Sequence, residues 1–235
     1  MKIGLIQSRG IGDIIIALPI AKYFHEQGHE VYWPIDERFI STFRPAAEYA
    51  NFIPFKFEHN LDGFIQTPTR LLKESGCDRV IPLYSYLSGT NYNVPILYNS
   101  LKFDEYKYAV AGVPFNEKWK LTLQRDNDRE KSLSDQIVKS ANYVVVHQVG
   151  SNYKTNVTVP SQYRHYQRIE INEATDNVFD WLSILENAKL LVLIDSCFAN
   201  LVDQLGFSNE KYFLFRSEVR FTPVLRGSWR YFGVS

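Results

Sequence analysis

The sequence contains few of the features that mark secreted or membrane-spanning proteins. It has only two cysteines, Cys77 and Cys197, which form no CxxC pair and no metal-like spacing. We therefore expect two reduced thiols in a cytoplasmic protein. The longest apolar run, Ile14–Ile20, is far shorter than the ~20 residues that span a bilayer. The first residues have the pattern of a strand and show no signal-peptide cleavage pattern, so we expect at most peripheral contact with a membrane.

The chain also lacks an excess of either charge, with 26 basic and 26 acidic residues. Proteins that bind nucleic acid through its phosphates carry a basic excess, so nucleic acid is not an expected partner. Aromatic residues are abundant, at 15% of the 235 residues, and they suit either a core or a sugar pocket. The rest of the composition is that of an ordinary globular chain of one large or two small domains.

Short apolar runs alternate with amphipathic stretches, which predicts an α/β fold with parallel sheets. The predicted strands are Lys2–Gln7, Glu30–Trp33, Asn51–Phe55, Arg79–Pro82, Tyr143–His147, Arg168–Ile171, Leu190–Ile194 and Lys211–Phe215. The predicted helices are Asp13–Gln27, Asp62–Ser75, Arg129–Ser140, Asn177–Ala188 and Ser196–Leu205, with at most a short helix within Ser85–Asn99.

A polar span without periodicity divides this pattern into two halves. It predicts a linker over residues 116–128, between one α/β domain at residues 1–115 and a second at residues 129–235. Each half contains its own set of strands and helices. A cleft between two such domains is the usual place for a ligand.

The loop Ser8–Asp13 joins the first predicted strand to the first helix, where open α/β sheets bind ligands. Three interpretations stay open. The loop could be part of a dinucleotide fingerprint, with Gly10, Gly12 and a ribose-binding Asp36, although Ile15 stands at the third glycine position. Asp13 could be only a carboxylate favoured by the helix dipole, or it could be a general base that takes a proton from a hydroxyl.

The stretch from Lys2 through Arg9, Gly12 and Asp13 to Leu18-Pro19 resembles the opening of the ADP-heptose:lipopolysaccharide heptosyltransferases, glycosyltransferase family 9. Two later blocks are similar to that family in the same order. One is the strand Tyr143–His147 with the loop residues Gly150, Ser151 and Lys154. The other is Leu190–Ser196, followed by Ala199-Asn200-Leu201 and Leu205-Gly206.

This resemblance implies a GT-B-like architecture, in which two Rossmann-like domains face each other across a cleft and the second is reduced. The first domain would bind the acceptor, the second would bind the nucleotide sugar, and the tail would pack back on the first. The implied activity is inverting, metal-independent transfer of a heptose or a hexose to a glycan or similar hydroxyl acceptor, as in lipopolysaccharide biosynthesis.

The resemblance also assigns residues to these roles. Asp13 would be the catalytic base, and Arg9, Gly10 and Gly12 would form the acceptor-side loop. The donor-binding residues would be Ser151, Lys154, Asp195, Ser196 and Asn200. No metal and no other cofactor is expected, because Lys154 and the helix that begins near Ser196 can stabilise a leaving diphosphate.

Two departures from the family pattern concern the donor side. Cys197 replaces the glycine of the family's Asp-Ser/Thr-Gly turn, where a Cβ would hinder a left-handed turn or close approach of a diphosphate. Asn200 replaces a histidine in the following helix. A non-catalytic nucleotide-sugar or glycan-binding protein on the same fold is therefore an alternative, and a nicotinamide-dependent enzyme is another.

Overall fold

A computed structural model describes residues 1–85, 87, 94–150, 154–215 and 221–232. The chain divides into two compact units, Met1–Gln124 and Arg125–Ser235. This boundary lies within the span that the sequence predicts as a linker. The first part of that span is ordered in the first unit, because Phe115–Lys120 forms a 3-10 helix in which Lys118 is buried.

The first unit is built on a four-stranded sheet in the order β3-β2-β1-β4, with every neighbouring pair parallel. Its strands are β1 (Lys2–Ile6), β2 (Glu30–Asp36), β3 (Asn51–Phe55) and β4 (Arg79–Pro82). Its helices are α1 (Ile11–Glu26), α2 (Ile40–Ala46), α3 (Thr67–Glu74), α4 (Pro95–Ser100) and α5 (Phe103–Ala111), with a π-helical turn at Asp62–Gln66. Because β1 is an inner strand, the loop that follows it lies in the middle of the carboxyl edge of the sheet.

Helix α1 is apolar on nearly all sides, and every residue from Ile14 to Ala21 is buried. Such a helix must be covered on more than one face. The hydroxyl of buried Tyr108, on α5, donates a hydrogen bond to the Ile16 carbonyl over 2.8 Å. Helix α5 therefore packs on α1 and brings its own side chains towards the start of that helix.

The second unit is built on a five-stranded parallel sheet in the order β6-β5-β7-β8-β9. Its strands are β5 (Tyr143–His147), β6 (Gln167–Glu170), β7 (Leu190–Ile194), β8 (Glu210–Leu214) and β9 (Trp229–Phe232). Its helices are α6 (Asn127–Ile137), α7 (Leu182–Asn187) and α8 (Cys197–Gln204), with 3-10 turns at Ser161–Tyr163 and Val178–Trp181. Strand β7 is buried throughout, as expected of an inner parallel strand covered on both faces.

The two parallel sheets confirm the predicted α/β fold class. In the tail, Trp229–Phe232 forms the edge strand of the second unit's own sheet, and packing of the tail on the first unit stays a prediction. Among the described residues, no helix is both long enough and apolar enough to cross a bilayer.

Candidate functional site

The loop between β1 and α1 is held in place by buried partners. The Ser8 N–H donates to the Tyr84 hydroxyl over 2.7 Å, and the Trp33 indole N–H donates to the Gln7 carbonyl over 3.1 Å. The Asp36 N–H donates to the Ser8 carbonyl over 2.9 Å. Tyr84 and Trp33 are fully buried. These two aromatic side chains therefore support the backbone of this loop and do not line a sugar pocket.

Asp13 lies in the first turn of α1 and is paired with a lysine that is distant in sequence. The Lys107 ammonium is 2.9 Å from Asp13 Oδ1; the lysine side chain is 0% exposed and the aspartate side chain 28% exposed. Lys107 also donates to Gln7 Oε1 over 2.7 Å and to the Leu83 carbonyl over 3.3 Å. Oδ1 of the candidate base is therefore held by a buried ammonium, while part of the Asp13 side chain is exposed at the surface.

The second oxygen of Asp13 lies beside Gly10. Gly10 has a φ of +83°, which favours glycine, and a Cβ placed on it would lie 2.7 Å from Asp13 Oδ2. That distance is too short for a real side-chain contact. A side chain at position 10 would therefore crowd Oδ2, and glycine avoids that contact.

Arg9 stands at the edge of the same loop. Its Nη1 is 2.9 Å from His59 Nδ1, and its guanidinium lies 5.6 Å from the centre of the Phe57 ring. Phe57 packs edge-on against Phe64, with the ring centres 5.0 Å apart. The structure thus brings Arg9, Gly10, Gly12 and Asp13 to one edge of the sheet, beside a small aromatic wall.

Asp36, the candidate ribose-binding acid, is almost fully buried at the end of β2. Its carboxylate accepts hydrogen bonds from the Arg38 backbone N–H over 3.1 Å and from Arg38 Nε over 3.0 Å. Burial raises the pKa of Asp36, but the hydrogen bonds and charge of Arg38 outweigh it and lower the pKa below its ordinary value. This carboxylate is already paired, which weighs against a nicotinamide site here.

In the second unit, Ser196 and Asn200 lie together where β7 leads into α8. Ser196 Oγ is 2.9 Å from Nδ1 of His147, the last residue of β5, and Asn200 Nδ2 donates to the Ser196 carbonyl over 3.0 Å. Burial lowers the pKa of His147 to about 4, despite a hydrogen bond with the Val149 backbone that raises it. The imidazole is therefore neutral near pH 7 and holds the Ser196 hydroxyl as an uncharged partner.

The other predicted donor-side residues have different surroundings. Asp195 is buried directly after β7, and its N–H donates to the Leu214 carbonyl over 3.1 Å. Lys154 is exposed and pairs with Val149 in an isolated antiparallel bridge. Ser151 lies outside the described residues.

Cys197 is the first residue of α8, after Ser196 in an extended conformation. No non-glycine residue in the described part of the chain has a positive φ. The backbone at Cys197 therefore makes no left-handed turn, as expected for a residue with a Cβ, and the hindrance to a close diphosphate stays a prediction.

Sequence reasoning missed Lys107 as a partner of the site. His147 ends a predicted strand, a position that favours a hydrogen-bonded structural role, and the structure places its Nδ1 2.9 Å from Ser196 Oγ. Lys107 gave no signal in the sequence, because the helix that carries it was not predicted. Among the described residues, no three His, Cys, Asp or Glu side chains converge as a metal site would require.

The sequence matches no family model and no curated protein sequence. Solved structures are similar in fold. A glycosyl transferase family 9 protein from Veillonella parvula gives a TM-score of 0.67 at 12% identity, over 99% of this chain and 86% of that one. The E. coli heptosyltransferase WaaC with ADP gives 0.59 at 11% identity, over 100% of this chain and 94% of that one.

An iron-containing dodecameric glycosyltransferase, TibC from enterotoxigenic E. coli, gives a TM-score of 0.59 at 14% identity, over 91% of this chain and 57% of that one. Identities this low establish the fold and not the activity. The resemblance read from the three sequence blocks is thereby confirmed at the level of the fold: the chain has the two-sheet α/β fold of the glycosyltransferase family 9 structures.

Proposed function

We propose that this protein is an inverting glycosyltransferase that moves a sugar from a nucleoside-diphosphate donor to a hydroxyl acceptor. The observation that carries the proposal is the state of Asp13. One carboxylate oxygen is held by buried Lys107, the side chain is 28% exposed, and the other oxygen lies beside Gly10, where any Cβ would crowd it. A fixed, partly exposed carboxylate at the carboxyl edge of a parallel sheet is suited to general-base chemistry.

In the proposed reaction, the acceptor hydroxyl attacks the anomeric carbon of the donor sugar. As the new C–O bond forms, the bond from that carbon to the diphosphate oxygen breaks, and its electron pair leaves with the nucleoside diphosphate. The hydroxyl proton passes to Asp13 Oδ2. Attack from the face opposite the leaving group inverts the anomeric configuration, and no covalent sugar–enzyme intermediate forms.

We assign the acceptor to the first unit and the donor to the second. Ser196, Asn200 and Asp195 lie at the carboxyl end of β7 and the start of α8, where backbone N–H groups favour a phosphate. Lys154 is an exposed positive charge in the segment that follows β5, and Ser151 precedes it in the sequence. The similar structures of WaaC contain ADP or ADP-2-deoxy-2-fluoro heptose, and one of TibC contains ADP-D-beta-D-heptose. An ADP-linked heptose is therefore the first donor to test, followed by an ADP-linked hexose.

A non-catalytic nucleotide-sugar or glycan-binding protein is the second candidate. The observation that favours it is Asn200, whose Oδ1 is buried without a hydrogen-bond partner among the described residues. An amide there cannot supply the positive charge of a protonated histidine. We further propose a cytoplasmic location, because both cysteines are free thiols.

The first experiment is a thermal-shift panel with ADP, UDP, GDP, CMP and NAD, each with and without EDTA. A ligand at 100 times its Kd adds about 2.7 kcal/mol of stability. For a chain of this size, each kcal/mol raises Tm by roughly 2–4 °C. We expect a shift with one nucleoside diphosphate that survives EDTA; a shift with NAD alone contradicts the proposal, and loss of the shift in EDTA contradicts its metal-independence.

The second experiment follows ADP release from ADP-heptose in the presence of soluble glycans, including lipopolysaccharide core oligosaccharides. Asp13→Asn is expected to lower kcat by about 10²–10⁴-fold and to leave the ADP thermal shift unchanged. Asp135→Asn, which changes an exposed carboxylate on α6, serves as the control. Nucleotide binding without any turnover favours the non-catalytic candidate.

A further inference from the structure

We propose that Lys107 is a positioning residue for Asp13, fixing Oδ1 so that Oδ2 is the atom that receives the acceptor's proton. This inference rests on the proposed function. It assigns a role to a residue in α5 that the sequence pattern did not single out.

The argument begins with the partners of the ammonium group. A lysine ammonium has three N–H donors, and three oxygens surround this one: Asp13 Oδ1, Gln7 Oε1 and the Leu83 carbonyl, at 2.9, 2.7 and 3.3 Å. They come from the start of α1, the residue after β1 and the residue after β4. Because these three oxygens surround the ammonium and the side chain is fully buried, Lys107 is not exposed to a substrate, so it acts through Asp13.

The same network braces the loop. Gln7 is fully buried, and while its Oε1 accepts from Lys107, its Nε2 donates to the Arg9 carbonyl over 2.7 Å. Lys107 therefore controls both the carboxylate and the backbone that carries Arg9. A displacement here would move two parts of the acceptor side together.

A second buried lysine shows what is particular to this one. Lys118 pairs with Asp104 over 2.7 Å, and both side chains are 0% exposed. That pair is closed to solvent, whereas Asp13 is partly open. Buried ion pairs are a poor way to stabilise a fold, because apolar residues of equal volume do as well or better. A pair that ends in an accessible carboxylate fits a functional role.

The test compares Lys107→Met with Lys118→Met in the ADP-heptose assay, at a temperature where both variants are folded. We expect Lys107→Met to lower kcat by about 10–100-fold, with KM for ADP-heptose within about twofold and the ADP thermal shift retained. Lys118→Met, the matched loss of a buried lysine, is expected to change Tm but to keep kcat within about twofold. Lys107→Gln is a second variant with the same expected loss, should the methionine fail to fold.

The double variant Asp13→Asn/Lys107→Met separates positioning from general structural damage. If Lys107 acts through Asp13, the double variant is no slower than Asp13→Asn alone, because residues that act as a unit are not additive. Additive losses, or an unchanged kcat in Lys107→Met, overturn the inference and leave the proposed function intact. If the wild-type chain neither binds ADP nor turns over, the proposed function itself fails.

One measurement needs no variant of Lys107. In nitrogen-15 spectra of the lysine side chains, the Lys107 ammonium protons are expected to exchange slowly and to shift in Asp13→Asn. If the Lys107 ammonium protons exchange fast and their chemical shift is the same in Asp13→Asn, the inference is wrong.

Discussion

Gly10 is the residue where backbone conformation and proposed chemistry meet. Its φ of +83° is closely matched by the +78° of Gly28, at the other end of α1. The surroundings differ, because a Cβ on Gly28 meets nothing within 4 Å, whereas a Cβ on Gly10 lies 2.7 Å from Asp13 Oδ2. Comparing the two glycines therefore separates the cost of a positive φ from the cost of crowding the carboxylate.

We predict that Gly10→Ala and Gly28→Ala each lose about 1–3 kcal/mol of unfolding free energy, because both place a Cβ on a backbone with positive φ. Only Gly10→Ala is expected to lose turnover, by about 10-fold or more, since it also displaces Asp13 Oδ2. Urea unfolding and the ADP-release assay measure the two effects. Equal activity in both variants would mean that Oδ2 is not the reacting oxygen.

At the scale of elements, four predicted strands match the observed bounds in full: β3, β4, β5 and β7. Each is an apolar run closed by polar or turn residues, so period and boundary are both visible in the sequence. The helix predicted at Asp62–Ser75 instead begins as a π-helical turn, and the one at Asn177–Ala188 begins as a 3-10 turn. Local patterns predict that such segments are helical, but not their winding.

Helix α5 shows why part of the site could not be predicted. Its buried residues include Asp104 and Lys107, which read as polar positions and break the apolar period. Each has a charged partner elsewhere in the chain: Lys118 pairs with Asp104, and Asp13 pairs with Lys107. The loop residues Arg9 to Asp13 could be identified from sequence because they are contiguous, whereas their support comes from long-range pairing.

The junction of β5 and α8 carries a pH prediction through His147. The pKa of His147 is about 4 in the folded chain, against an ordinary value of 6.5. The unfolded chain therefore binds the proton more readily, and this contribution to stability is complete above pH 6.5 and falls as the pH drops towards 4. We expect the wild type to lose about 2 kcal/mol between pH 7.5 and pH 5 through this group.

Urea unfolding at the two pH values measures this loss, and His147→Asn is expected to remove it. His165→Asn changes an exposed histidine of the same unit and should keep the full pH dependence. The same fall in wild type and His147→Asn would place the pH dependence in other groups.

At the scale of the whole molecule, each unit has its own parallel sheet, and the proposed function assigns the acceptor to the first unit and the donor to the second. This division makes the place of nucleotide binding a test of the entire assignment. If the nucleotide binds the second unit, residues around the end of β7 and the start of α8 are protected. If the glycine loop of the first unit is a dinucleotide site, residues 8–13 are protected instead.

We predict that ADP at 100 times its Kd slows hydrogen exchange by up to about 100-fold at amides in the first turn of α8, and leaves the amides of residues 8–13 unchanged. The amides at the start of α8 are the free helix donors that a diphosphate would bind. Ser196→Ala is expected to weaken this protection by removing the hydroxyl beside His147, whereas Ser161→Ala, at an exposed serine of the same unit, should leave it intact. Protection confined to residues 8–13 would move the nucleotide to the first unit and exchange the proposed roles of the two units.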